Sequence, residues 1–344
     1  MNCDCDGGGN RYSSQIDLTG SNKLQALYPG RKKLPAGVCS IQLHDGESPW
    51  IVCPRRLLVM GREEQGARRF QVNTEYDTLR FLNYKPGTRL GIWSEVKLKY
   101  REGREDEEEH SFDYTFDYIV MPVGRVRLLD LSKEIEIPEA ELRTNVERAG
   151  YTVATREGLF FIEDFPIGMP SIVEIMTSST SGGNKTKRTT ISMAFEDVLL
   201  NKTHNAPGIN YRQVWARMVS QLIVKSEIGL NWGGKTIWVV QDNLIDYISS
   251  TTRLDVRKFL AKHSSDVNML SFSYGQDYRN SNQGVIELAD AKLYAGPMSP
   301  PVLPDSVHVE SFQDIIRAPF CPPLSRLLGL FVKRKPTATV IMPG

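Results

Sequence analysis

Apolar and polar residues alternate over Arg89 to Tyr100, give way to a charged tip from Arg101 to Glu109, and alternate again over Ser111 to Val123, which reads SFDYTFDYIVMPV. A period of two marks strands with one face toward a core, so the spacing predicts two strands joined by a solvated hairpin end. A shorter apolar run, Pro170 to Thr177 (PSIVEIMT), carries one carboxylate and reads as a central strand. Helical spacing follows over Thr189 to Leu200 and again over about Tyr211 to Leu230. The second helix stops at Gly233-Gly234 and feeds an apolar strand, Thr236 to Val240, and a helix around Asn243 to Ser249. Upstream, Val38 to Leu43 and Trp50 to Val52 flank His44-Asp45-Gly46-Glu47, an Asp-Gly hairpin signal. Residues 54 to 88 read as helix plus loop, and a charge-rich stretch from about 124 to 165 separates two strands. Residues 1 to about 35, rich in Gly, Ser, Asn and Lys, read as loop rather than core. Strands first, then alternating helix and strand, indicate an α/β chain with a mixed central β-sheet flanked by helices.

Composition narrows this little. The chain has 344 residues, 40% hydrophobic and 24% charged, enough for one large core or two modest ones. Its formal charge of +1 neither demands nor excludes a polyanionic partner. No apolar run approaches the roughly 18 to 20 residues a membrane span needs, and no basic-then-apolar secretion signal opens the sequence, so the expectation is a cytoplasmic protein with no membrane partner. Five cysteines, Cys3, Cys5, Cys39, Cys53 and Cys321, suit a reducing compartment and a metal site better than a disulfide framework. A turn centred near Gly46 pairs positions whose numbers sum to about 92, which sets Cys39 opposite Cys53. A disulfide between those two is the plain alternative to a metal site.

Candidate chemistry rests on acids in strands, because buried strands rarely carry charge unless it is paired or bound to metal. Glu95, Asp117 and Glu174 each stand in a separate predicted strand. Such oxygen ligands suit magnesium and phosphodiester hydrolysis. Each also has an ordinary reading: Glu95 half-exposed on a two-faced strand, Asp117 capping a turn, Glu174 paired with a buried arginine. Asp113, four residues before Asp117 on the same strand face, is the second choice for its role. The loop from Ser178 to Arg188 sets hydroxyls, glycines and the cations Lys185, Lys187 and Arg188 just past Glu174, which suits a clamp on a nucleic-acid backbone or, equally, a surface loop.

At these residues the sequence resembles the NotI-type Type II restriction endonucleases, of the PD-(D/E)xK nuclease class. The likeness runs through Gly37-Val38-Cys39, Val52-Cys53-Pro54-Arg55-Arg56, the strand holding Glu95, Phe116-Asp117, Glu174-Ile175-Met176-Thr177 and Trp232-Gly233-Gly234-Lys235 before Val239-Val240-Gln241-Asp242. The resemblance implies a restriction-endonuclease-like fold, with a metal-binding cysteine hairpin in residues 1–60 and a nuclease domain over 61–344. It implies Mg-dependent, site-specific cleavage of double-stranded DNA by a homodimer. Catalytic roles fall on Glu95, Asp117 and Glu174, with Asp117 and Glu174 as magnesium ligands. Met176 departs from the pattern, standing where Gln or Lys is expected, and a thioether can neither donate to water nor stabilise an anion. Either Lys185, Lys187 or Lys97 replaces it, or the chain binds DNA without cutting. The family's structural iron site maps onto Cys3, Cys5, Cys39 and Cys53, a set that suits iron or zinc. Arg55 and Arg56, just beyond the last of them, are then candidates to contact DNA. The remaining reading is a structural metalloprotein whose sheet acids are salt-bridged.

Overall fold

The computed structural model describes residues 13–37, 39–44, 47–61, 72–102, 110–181, 183–252, 255–274, 287–298 and 321–343. In chain order these form β1 (Ser13–Asp17), α1 (Asn22–Leu27), β2 (Lys33–Gly37), β3 (Ser40–Ile41), β4 (Trp50–Ile51), α2 (Pro54–Leu57), α3 (Val72–Phe81), β5 (Arg89–Glu102) and β6 (His110–Arg127). Then come α4 (Leu128–Glu134), α5 (Glu139–Arg148), β7 (Val153–Arg156), β8 (Leu159–Pro166), β9 (Ser171–Met176), α6 (Ile191–Leu199), α7 (Tyr211–Asn231), β10 (Lys235–Gln241) and α8 (Asp242–Thr251). The last are β11 (Leu260–Ala261), β12 (Val267–Tyr274), β13 (Leu288–Gly296), α9 (Leu324–Phe331) and β14 (Ala338–Ile341).

The principal sheet runs β11-β13-β12-β10-β9-β6-β5-β14, with the β7–β8 hairpin attached through β8 to β6. β10 is parallel to both β9 and β12, and the other pairings are antiparallel, so the sheet is mixed. Helices cover both faces because alternate strand residues feed different clusters. Ile172 of β9 joins the cluster built with α4, α5, α9 and the end of α7, whereas Val173 joins the one containing Leu57, Leu58, Leu79 and Leu82. On β10, Trp238 and Val240 pack with α7 and α8, while Ile237 and Val239 face the other way. No helix among the described residues is long and apolar enough to cross a membrane.

The α7 stop follows from its glycines. Gly233, at φ +74, donates to Leu230 O, and Gly234 donates to Gly229 O, which closes the helix on a left-handed residue. A Cβ on Gly229 would stand 2.6 Å from Thr236 Oγ1, so only glycine lets α7 lie this close to β10.

Two expectations need correction, and one stretch left without elements gains them. Residues 13–37 are not loop: β1 pairs with β2 around α1, and Ile16, Leu18, Leu24 and Leu34 form a small core against Phe195, Leu199 and Leu200 of the α6 region. The charge-rich stretch holds two helices and a hairpin, whose apolar residues, such as Leu128, Leu142, Val146 and Ile162, are spaced too widely to stand out against their charged neighbours. The cysteine hairpin is one residue out of its expected register, with Ser40 opposite Ile51 and Ile41 opposite Trp50. Packing also continues across residue 60, since Ile51, Leu57, Leu58 and Met60 share a cluster with Val173, Ile237 and Leu270.

Candidate active site

The sheet forks at Asp117 and Glu174. β6 pairs with β9 only through Tyr118↔Val173, Ile119↔Ile172 and Val120↔Ser171. Beyond this, β6 continues with β5 to the hairpin tip, and β9 continues with β10 as far as Met176. The next β6–β9 pair would be Asp117 and Glu174, and there side chains take over from backbone acceptors. Asp117 N donates to Glu174 Oε1 (3.3 Å), and Ile175 N donates to Asp117 Oδ2 (2.7 Å). A cavity of about 780 Å³ opens at the fork, lined by Glu95, Asp117, Glu174 and Met176 and walled by residues of α2 and α7.

Both strands of the β5–β6 hairpin break their alternation at this point. On β5, Trp93 and then Val96 and Leu98 face one cluster; on β6, Phe112 and Phe116 and then Ile119 and Met121 face the same one. Ser94-Glu95 and Asp117-Tyr118, the pairs at the two breaks, all line the cavity. Ser94 lies opposite Tyr118, and the register resumes unchanged at Val96↔Phe116, so Glu95 and Asp117 stand across from each other. Glu95 has φ 50, a left-handed conformation unfavourable to a residue with a Cβ and often found where function requires it. Arg334 holds this bend, donating to the carbonyls of Ser94 and Glu95 (3.1 Å for the latter).

Sequence reasoning missed Lys225. Its Nζ lies 2.5 Å from Glu174 Oε2 and donates to Thr115 O at 2.8 Å. Lys225 is 3% exposed and Glu174 2%, so the pair is sealed at the cavity floor. The signal was present: Val214, Met218, Lys225 and Gly229 share the buried stripe of α7, and a lysine at such a position needs a partner. Thr236 donates its hydroxyl to Lys225 O, fixing that turn against β10.

Burial dominates the electrostatics. It pushes the Glu174 carboxyl up to about 8, with the Asp117 charge adding to the rise and Lys225 opposing it. Asp117 is raised by burial against the pull of Ile175 N–H and Lys225. Glu95 is raised by desolvation and then by Asp117, while Arg55 on the α2 wall pulls it down. Asp117 thus raises both Glu174 and Glu95, and a cluster of raised acids is able to exchange protons for a cation. Among the described residues no three His, Cys, Asp or Glu side chains form a metal-binding group by themselves.

The other expected residues are distributed as follows. Arg55 lines the cavity. Arg56 is buried beneath it, its guanidinium 5.2 Å from the Tyr274 ring centroid, and so is not presented at the surface. Asp113 lies farther along the hairpin, exposed and paired with Lys99 at 3.0 Å and Lys97 at 3.9 Å, outside the cavity. Lys185 and Lys187 are exposed on a turn closed by Asn184 and Thr189, and Arg188 folds back onto Asp197 at 2.8 Å. None of Lys97, Lys185, Lys187 and Arg188 lines the cavity. Cys39 O accepts from both Val52 N (3.0 Å) and Cys53 N (3.3 Å), which brings these two cysteines side by side without a disulfide joining them. Cys3 and Cys5 lie outside the described residues.

No family model matches the chain, and no curated protein or solved structure matches it either. The class defined by fold and site is therefore an α/β protein with a mixed, helix-flanked sheet and a buried acid–lysine cluster at its fork.

Proposed function

We propose that this chain is a magnesium-dependent endodeoxyribonuclease of the restriction type, cutting duplex DNA at a specific site as a homodimer. The observation that carries the reading is the convergence of Glu95, Asp117, Glu174 and Lys225 on one cavity. A buried ion pair adds little to stability compared with apolar packing. Its presence beside a second buried acid, in an open cavity, favours a working site over a structural salt bridge.

The donor set fits magnesium, which takes one or two carboxylates and completes its shell with water and phosphate oxygens. Asp117 and Glu174 are the residues to hold it; such an ion supplies an activated water and neutralises charge on the scissile phosphate. Lys225 does what Met176 cannot. Two of its three N–H donors go to Glu174 Oε2 and Thr115 O, which favours the charged form of Glu174 against its burial and leaves the third for a phosphate oxygen. Glu95, across from Asp117, accepts a proton at the cavity rim.

The paired cysteines of the hairpin support a second, structural centre in which Cys3, Cys5, Cys39 and Cys53 hold one iron or zinc ion. Two-fold symmetry would bring one cavity to each DNA strand. Incubating the purified protein with plasmid DNA and magnesium tests the reading: discrete fragments support it. A gel shift without cutting would favour a non-cleaving DNA-binding protein, and neither result would leave the acids as structural salt bridges.

A further inference from the structure

Resting on the nuclease reading, we propose that α7 is the track for the DNA backbone, with Gln221 and Arg217 holding the phosphates that lead away from the acids. The two residues and Lys225 are spaced by four, so they share one helix face, and all three line the cavity. At a rise of about 1.5 Å per residue, each step is about 6 Å, and Arg217 stands about 12 Å from Lys225 along the axis. The step of about 6 Å is on the scale of successive phosphates on one strand.

Exposure grades along the track. Lys225 is buried at the acids, Gln221 is half-buried, and Arg217 is exposed at the mouth. A strand whose scissile phosphate reached Lys225 would thus meet an amide one turn up and a guanidinium one turn farther. Several arginines of the fold are committed to ion pairs. Arg89, Arg125, Arg188 and Arg257 are each turned onto a carboxylate, whereas Arg217 has no ion-pair partner among the described residues. An unpaired guanidinium on the wall of an acid-floored cavity suits a fork-like grip on phosphate oxygens. Arg55 lines the opposing wall, so the backbone would lie between two guanidinium groups. The exposed turn carrying Lys185 and Lys187 is not part of this track.

The test is binding of a mixed-sequence DNA duplex at stepped salt, with calcium in place of magnesium to withhold cleavage. Arg217→Ala should weaken binding about tenfold, the loss of one charge-assisted contact, and lower the salt slope by about one unit. Gln221→Ala should weaken binding with the slope unchanged, because no charge is lost. Arg217→Lys should keep the slope, and the Lys185→Ala, Lys187→Ala double variant should keep both slope and affinity. Wild-type slope in Arg217→Ala, or loss of slope in the loop variant instead, overturns the track while leaving the nuclease reading standing. Absence of salt-dependent DNA binding by the wild-type protein would overturn that reading and the track with it.

Discussion

Lys225 and Glu174, 51 residues apart in sequence, meet at 2.5 Å on the floor of the cavity, both almost fully buried, and Glu174 is at the same time bonded to the backbone N–H of Asp117. On the proposed nuclease reading, the helix lysine takes the place in the chemistry that Met176 leaves open on β9. Lys225→Met should lower DNA cleavage by about 10²- to 10⁴-fold, the usual range for a lost acid–base or anion-stabilising group. Adding Met176→Lys to that variant should restore part of the activity, since both positions line the same cavity. Single-turnover cleavage assays decide it, and full activity in Lys225→Met would remove the lysine from the reaction.

The pH dependence of stability has a definite sign. Glu174 ionises near 4.5 in the unfolded chain and near 8 in the folded one, so between those values the folded state holds the extra proton. Its contribution therefore falls as pH rises from about 4.5 to 8, on the order of a few kcal/mol. Urea unfolding in chelator should show this decline, and Glu174→Gln, which cannot ionise, should flatten it. A decline of the same size in the Gln variant assigns the effect elsewhere.

Magnesium binding should release protons, because raised carboxyls must ionise to ligate it. Calorimetry in buffers of differing ionisation enthalpy should find proton release at pH 6.5 that fades as the pH passes about 8. Asp117→Asn should abolish binding, and Asp113→Asn, on the exposed side of the hairpin, should leave it unchanged.

Glu95 combines an unfavourable backbone with a placement in the cavity. Glu95→Gly should raise stability by about 1 kcal/mol through relief of the left-handed strain while lowering cleavage. Glu95→Ala should lower cleavage without that gain. Thermal melts beside activity assays separate the two effects, and equal stability changes for Gly and Ala would mean that the bend stores no strain.

For the cysteine hairpin, elemental analysis of washed protein should find about one iron or zinc per chain. Cys53→Ser should lose the ion and lower the melting temperature, whereas Cys321→Ser, near Asn231 at the end of α7, should do neither. Protein with no bound metal and full stability would remove that centre.

The local periodicities were legible in the sequence because they report which face of an element is buried. The alternation of β5 and β6, the apolar run of β9, the span and glycine stop of α7 and the β3–β4 pairing all lie within a residue or a few of their expected places. The three acids picked out in separate strands, Glu95, Asp117 and Glu174, all line one cavity. Periodicity does not say which elements meet, or where a ladder ends. The sequence preferred Asp117 to Asp113, but only the tertiary structure sets Asp117 on the cavity and Asp113 outside it, since that placement depends on where β9 parts from β6. It alone brought Lys225 to Glu174, because an isolated lysine in an apolar stripe names no partner. It also gathered Ile16, Leu18, Leu24 and Leu34 into a core that α6 completes from more than 150 residues away, a contact no local pattern encodes.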